Sequence, residues 1–308
     1  MSVDVYLLAS YRGWIMEAIP RESAFAISQD IKLRFLATTK REKFNVLNWT
    51  SQIRLKKPSK ILYMNHATYF KHKNSARSDI RVFLTHFDSD FLLSEEQIEK
   101  LMKVDVFLVQ NSFVKNFLIS IGIEPSRIRV VCGAVSHKDF YPLNYVEKIK
   151  PQVLIVGDCK PRKNPKLIEE TIRSNSQIEF TIHGKHWELH TNLQNLPPKN
   201  LSIVPFNLAR QAQLMRESAV MLSLANNEGG PFPILESLAS GTPVVATATG
   251  FAPDLINDEN GVLLPVNPTL TEISDAINLC FKLKFESWNK DLTHGKYSWE
   301  SLGRLLFN

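Results

Sequence analysis

Cysteine is scarce. The 308 residues hold three, Cys132, Cys159 and Cys280, widely spaced and without a Cys-x-x-Cys pair. That pattern excludes a disulfide framework and a zinc site of the usual spacing, and it fits a reducing compartment such as the cytosol. Each is expected to be a small buried apolar side chain. Long apolar runs are missing too, since nothing approaches the roughly 20 residues that span a bilayer. The start, residues 3–9, reads as a strand and lacks the charged head and apolar core of a secretory leader. There is no repeat of fixed period, no low-complexity segment, and no helix-turn-helix, RNP or zinc-finger pattern, so nucleic acid is not an expected partner.

Charge is present but uneven. The chain carries a net +6, yet residues 1–150 hold 23 Lys and Arg against 15 Asp and Glu, while residues 151–308 hold 14 against 16. The densest stretch runs from Lys32 to Lys60, with nine basic residues opposed only by Glu42. Such a run is either a solvated face or a surface that attracts anions at low salt, for example an anionic membrane leaflet or an anionic acceptor.

Strand-like and helix-like segments alternate along the whole length. In the first half strands read at 3–9, 31–36, 61–64, 81–85, 105–109 and 127–132, with helices between them, clearest at 95–102 and 111–120. Val82-Phe83-Leu84 and Val106-Phe107-Leu108-Val109 are continuous apolar runs, as strands covered on both faces require. The segment 141–151 breaks the rhythm, ends in proline and reads as a linker. A second series follows: strands at 152–156, 178–183, 201–204, 219–224, 243–246 and 261–264, helices at 165–173, 209–217, 231–239 and 270–284, and a last helix at 298–306. The expectation is an α/β chain of two doubly wound, Rossmann-like halves, residues 1–145 and 146–308.

The stretch richest in chemistry is Asn226-Asn227-Glu228-Gly229-Gly230-Pro231-Phe232-Pro233-Ile234-Leu235-Glu236. An apolar strand runs into it and a helix pattern leaves it. Pro231 suits the first helical turn, and the two glycines let backbone approach a ligand. The free N–H groups and positive dipole of such a helix start favour an anion such as phosphate. Glu228 in the loop and Glu236 just over one turn into the helix are placed to accept hydrogen bonds from hydroxyls, as a sugar or ribose presents. A second loop, Gly157-Asp158-Cys159-Lys160-Pro161-Arg162-Lys163-Asn164-Pro165, follows a strand and opens a helix, where its cations face the ligand crevice of a doubly wound sheet. Arg grips a diphosphate bidentately, and Lys serves as a point charge.

Downstream of Glu236 come Gly241-Thr242-Pro243-Val244-Val245 and Glu259-Asn260-Gly261-Val262. Together these motifs resemble the donor site of the family 4 glycosyltransferases, retaining enzymes of the GT-B fold with a Glu-x7-Glu signature. The match is close over residues 204–266 and looser elsewhere. The resemblance implies two Rossmann-like domains facing a central cleft, the N-terminal one on the acceptor side and the C-terminal one on the donor side. It implies transfer of a hexosyl unit from a nucleotide diphosphate sugar to an acceptor hydroxyl, with retention and with no metal or other cofactor. Lys163 matches the diphosphate-binding lysine. Asp158 stands where that family has an arginine, a charge that Arg162 would replace. The implied donor-binding set is Arg162, Lys163, Gly229, Gly230, Pro231, Phe232 and Glu236, with Gly184 near the base and Gly13 in the loop after the first strand. Val204-Pro205-Phe206 resembles the loop that contacts the base, although Trp187 and Phe206 read equally as core. The implied catalytic residues are Lys163, Glu228 and His86, the last at the end of a buried strand near the reacting sugar.

Asp88-Ser89-Asp90 has the form of an Asp-x-Asp metal motif but lies in the half away from the donor, and reads as a capping or acceptor-side loop. Gly133-Ala134-Val135 with Phe140-Tyr141-Pro142 resembles the family's segment before the linker and is a fold marker. Two rival readings remain. One is a GT-B sugar-nucleotide epimerase; the other is a non-catalytic nucleotide-sugar-binding subunit, suggested by Asp158. The expected setting is cytoplasmic, peripheral on an inner membrane face, with a glycan or glycolipid acceptor in surface polysaccharide synthesis.

Overall fold

The computed structural model describes residues 3–9, 15–27, 31–37, 59–71, 79–84, 93–142, 151–283 and 295–308. They fall into two compact units, Met1–Cys132 with Trp299–Asn308, and Gly133–Ser298.

The first unit is built on six parallel strands: β1 (Val3–Ala9), β2 (Ile31–Ala37), β3 (Lys60–Tyr63), β4 (Asp79–Leu84), β5 (Val106–Val109) and β6 (Ile128–Val130). Their order across the sheet is β2-β1-β3-β4-β5-β6. Helices α1 (Ile15–Ala26), α2 (His66–Lys71), α3 (Glu95–Leu101) and α4 (Ser112–Ser120) lie between them in the chain. The apolar runs seen in the sequence are the sheet's buried centre: Val82, Leu84, Phe107 and Val109 pack with Ile61, Tyr63 and Leu118. Helix starts are set by polar caps. Ser94 and Gln97 exchange hydrogen bonds in a capping box at α3, and the Asn111 side chain accepts the Val114 N–H at α4. The strand expected at 127–132 shortens to β6 because Pro125–Arg127 forms a 3-10 turn before it.

The second unit also holds six parallel strands: β7 (Gln152–Val156), β8 (Glu179–Gly184), β9 (Leu201–Pro205), β10 (Val220–Ser223), β11 (Val244–Thr247) and β12 (Gly261–Leu264). Their order is β12-β11-β10-β7-β8-β9. The chain winds outward from β7 to β9, returns, and winds the other way from β10 to β12. The reversal lies between β7 and β10, where doubly wound sheets open a crevice at the carboxyl ends of their strands. The helices are α5 (Pro165–Ser174), α6 (Thr191–Asn195), α7 (Leu208–Glu217), α8 (Phe232–Ala239), α9 (Ala252–Leu255) and α10 (Leu270–Cys280). The short α6 and α9 carry too few residues to show a helical period. The helix expected to reach residue 284 stops at Cys280, where Lys282 and Leu283 donate instead to the carbonyls of Leu279 and Cys280, three residues back.

The chain divides at Cys132 and Gly133 rather than between residues 145 and 146, and its last ten residues join the first unit. Both differences have local causes. Gly133 has φ +98°, and a Cβ there would stand 3.1 Å from Phe232 and from Leu235, both on α8. Val135 N–H donates to the Tyr297 carbonyl at 2.9 Å, and the Arg216 guanidinium of α7 sits 4.5 Å over the Tyr141 ring. The segment after Cys132 is therefore packed onto the second unit. The C-terminal helix, Trp299–Phe307, packs on α1 through Gly303, where a Cβ would meet the Ser23 carbonyl at 2.5 Å. Its last carbonyls are held by cations: buried Arg81 donates to Leu306 O at 2.8 Å and Arg129 to Leu305 O at 2.9 Å. Positive charge at a helix C-terminus is favoured by the dipole. Asp79 balances Arg81 at 2.7 Å.

Cys132 and Cys280 are buried as expected, and Cys159 is half-buried. Among the described residues no helix is long and apolar enough to cross a membrane.

Candidate functional site

The β7–α5 loop and the β10–α8 loop emerge side by side at the reversal point, because β7 and β10 are hydrogen-bonded neighbours. They are stitched together. Asn226 N–H donates to the Arg162 carbonyl at 2.8 Å, and the Asn164 side-chain amide donates to Asn226 Oδ1 at 2.9 Å. Asn164 itself holds a left-handed conformation, φ 56°, between the 3-10 turn Pro161–Lys163 and Pro165, the first residue of α5. Asn is among the few non-glycine residues that tolerate this.

The stitching brings three of the expected residues onto one spot. Arg162 Nη1 donates to Glu228 Oε2 at 2.5 Å and also reaches the Asn227 carbonyl at 3.4 Å. The Lys163 ammonium pairs with Glu228 Oε1. The Glu228 side chain is only 4% exposed, whereas Arg162 keeps 36% and Lys163 15% of their side-chain surface. A buried carboxylate thus draws two partly exposed cations together at the mouth of the crevice.

Glycines make this packing possible. Lys163 lies across Gly157, φ +144°, where a Cβ would sit 3.2 Å from Lys163 Cε. Gly157 N–H donates to the His183 carbonyl, and its own carbonyl accepts the Trp187 indole N–H at 2.8 Å. A Cβ on Gly184 would stand 1.9 Å from that same carbonyl. On the other side Gly250, φ +58°, lets the loop after β11 press on Glu228 Cβ and on the Glu228 and Gly229 carbonyls, each 3.0 Å from where its own Cβ would be. Thr247 Oγ1 donates to the Ala225 carbonyl at 2.6 Å and anchors the start of the same loop.

Not every expected position behaves as the sequence suggested. Gly184 acts here through backbone packing on Gly157. Pro231 is the N-cap residue, and α8 starts one residue later at Phe232. The Phe232 ring packs against Gly133, while Gly229 is buried and Gly230 partly exposed. Glu236 is partly exposed as a residue, but its carboxyl group is turned into protein and accepts a hydrogen bond from Gln211 Nε2 of α7. Desolvation pushes its pKa up to about 7, against a smaller lowering by Gln211. Asp158 has other partners than the cation pair: it accepts the Lys185 N–H and pairs with Lys160, each at 3.4 Å. Trp187 is core, whereas Phe206 is half-exposed and stacks on buried His183 with ring centroids 5.6 Å apart. Burial lowers the His183 pKa. Gly13, His86, Asp88 and Asp90 lie outside the described residues.

Sequence reading missed Gln211, Asn164 and Asn226 as partners. Gln211 precedes Glu236 by 25 residues and carries no motif; only the packing of α7 beside α8 reveals it.

Residues 144–294 match the family model described as glycosyl transferases group 1. No curated protein matches by sequence. Among solved structures, the chain is similar to the lipopolysaccharide outer core galactosyltransferase WaaB in its apo form (15% identity, TM-score 0.72, covering 99% of this chain and 98% of the other). It is similar to sucrose-phosphate synthase from Thermosynechococcus elongatus (14% identity, TM-score 0.77, 98% and 96% covered). It is also similar to Anabaena HepE in complex with UDP-glucose (12% identity, TM-score 0.74, 98% of each chain covered). The fold is GT-B: two α/β units, each on a parallel sheet.

Proposed function

We propose that this chain is a glycosyltransferase that moves a sugar from a nucleotide diphosphate sugar to an acceptor hydroxyl, with retention at the anomeric carbon. The convergence of Arg162 and Lys163 on Glu228, at the reversal point of the second sheet, carries this reading. The group 1 match over residues 144–294 supports it, as does the UDP-glucose bound in the HepE structure.

The chemical task is to stabilise the diphosphate as it leaves. Fixed cations and N–H groups do this without reorganising. Arg162, Lys163 and the N–H groups of Gly229, Gly230 and Phe232 take that role. Glu228 accepts hydroxyls of the donor sugar, and Glu236 accepts the ribose. These cations and N–H groups, rather than a metal, are assigned to the diphosphate, so activity is expected to persist in excess chelator. The place of Arg162 beside Lys163 on Glu228 supports its standing in for the missing arginine at position 158.

The acceptor is a glycan or glycolipid of surface polysaccharide synthesis, met at an inner membrane face. The uneven charge of the first 150 residues supports that part. The test is a thermal-shift panel of nucleotides and nucleotide sugars, followed by transfer assays with the stabilising donor. A ligand at a hundred times its dissociation constant adds about 2.7 kcal/mol of stability. A panel in which nothing stabilises the protein overturns the assignment.

A further inference from the structure

Arg162 and Lys163, the two cations assigned to the diphosphate, are already engaged by Glu228. A diphosphate that takes both must displace the carboxylate. Glu228 is poorly placed to lose them. Its side chain is 4% exposed, and among the described residues its carboxylate has no other partner than these two cations. Gly250 presses on its Cβ, and the Thr247 hydroxyl holds the Ala225 carbonyl three residues earlier, so the loop has little room to carry the charge out to water. A carboxylate stripped of its cations in such a place is strongly disfavoured unless new donors reach it.

We propose that Glu228 is an internal counter-anion that makes the site discriminate the intact donor from the sugar-free nucleoside diphosphate. The inference rests on the donor-site reading above. The sugar joined to the diphosphate brings hydroxyls to the place where the carboxylate has lost its cations, and those hydroxyls donate to Glu228. The intact donor therefore repairs the pairing that its own diphosphate breaks. A nucleoside diphosphate breaks the pairing and offers no replacement. Once the sugar has left, Glu228 retakes Arg162 and Lys163 and expels the diphosphate product. The carboxylate thus acts twice, as a hydrogen-bond acceptor for the bound sugar and as a competitor for the product's cations.

The experiment uses inorganic pyrophosphate as probe, measured by calorimetry on the full chain at fixed pH and salt. Glu228→Gln keeps the shape and removes the charge. It should bind pyrophosphate at least about tenfold more tightly than wild type. Adding Lys163→Gln to Glu228→Gln should abolish that gain. With the nucleotide found in the thermal-shift panel, the preference for the sugar-loaded form should collapse in Glu228→Gln because the sugar-free form binds better. Circular dichroism reports whether the variant folds; if it does not, Glu228→Asp, whose shorter arm loosens its grip on the cations, should show the same direction of change. Unchanged pyrophosphate affinity overturns the inference and leaves the donor site standing, as does a preference lost only through weaker donor binding. Failure of wild type and variants alike to bind pyrophosphate or any nucleotide overturns both.

Discussion

The Trp187 indole N–H donates to the Gly157 carbonyl at 2.8 Å, and that carbonyl oxygen lies 1.9 Å from where a Cβ on Gly184 would be. Gly157 in turn carries the Lys163 side chain. Gly157 thus connects a buried indole, a glycine at a strand end and the lysine assigned to the diphosphate. Lacking a Cβ, Gly184 leaves room for the turn.

Gly184→Ala is expected to force the Gly157 turn outward. Stability should fall by about 2–4 kcal/mol, in the range of overpacked cores and displaced backbone. Nucleotide affinity should fall with it, because Lys163 moves with the turn. Trp187→Phe, which removes only the N–H, should cost about 1–2 kcal/mol. Melting curves and a nucleotide titration check both, and unchanged stability in Gly184→Ala refutes the contact.

Glu236 sets a pH dependence. Its folded pKa of about 7 lies above the 4.5 of a solvated glutamate, so between those values the folded chain binds more protons than the unfolded one. Stability therefore falls as pH rises from about 4.5 to about 7, by at most about 3 kcal/mol, and less where water reaches the carboxyl. Glu236→Gln should flatten that segment of the stability curve, while Glu236→Ala should weaken nucleotide binding with the fold intact. Urea melts across this window give the first result, and titration with the nucleotide from the thermal-shift panel the second.

Lys163→Ala is expected to lower kcat about a hundredfold and to change KM for the donor less than tenfold, because charge on the leaving diphosphate grows toward the transition state. Arg162→Ala should act in the same direction. Equal losses in ground-state affinity and in kcat/KM would place Lys163 in binding alone.

The basic run between Lys32 and Lys60 is expected to hold the protein on anionic vesicles. It includes Lys40, Arg41, Lys43, Arg54, Lys56 and Lys57. Each basic residue near such a surface contributes on the order of 1 kcal/mol, screened by salt. Co-sedimentation should be strong with anionic vesicles at low salt, weak at high salt, and absent with neutral vesicles. Equal behaviour with both vesicle types at low salt makes the run a solvated face and a soluble acceptor the better reading.

By itself the sequence determined the alternation of strand and helix, the parallel sheets and the loops that carry the chemistry. These are written in local terms: apolar runs such as Val82-Phe83-Leu84, the Pro and Gly that end elements, and basic residues directly after a strand. Glu228, Arg162 and Lys163 were legible as candidates for the same reason. Only the tertiary structure decided what they do to one another. The ion pairs between residues 162–163 and 228 exist because β7 and β10, which lie far apart in the chain, are neighbours in the sheet. The desolvated Glu236 carboxyl and its Gln211 partner come from the packing of α7 beside α8, which no spacing encodes. The place of the C-terminal helix on the first unit was equally hidden, since it depends on Arg81, Arg129 and the small volume of Gly303, each distant in sequence from what it holds. A local pattern specifies which face a segment buries; which partner covers that face is settled by shape and charge at contacts far apart along the chain.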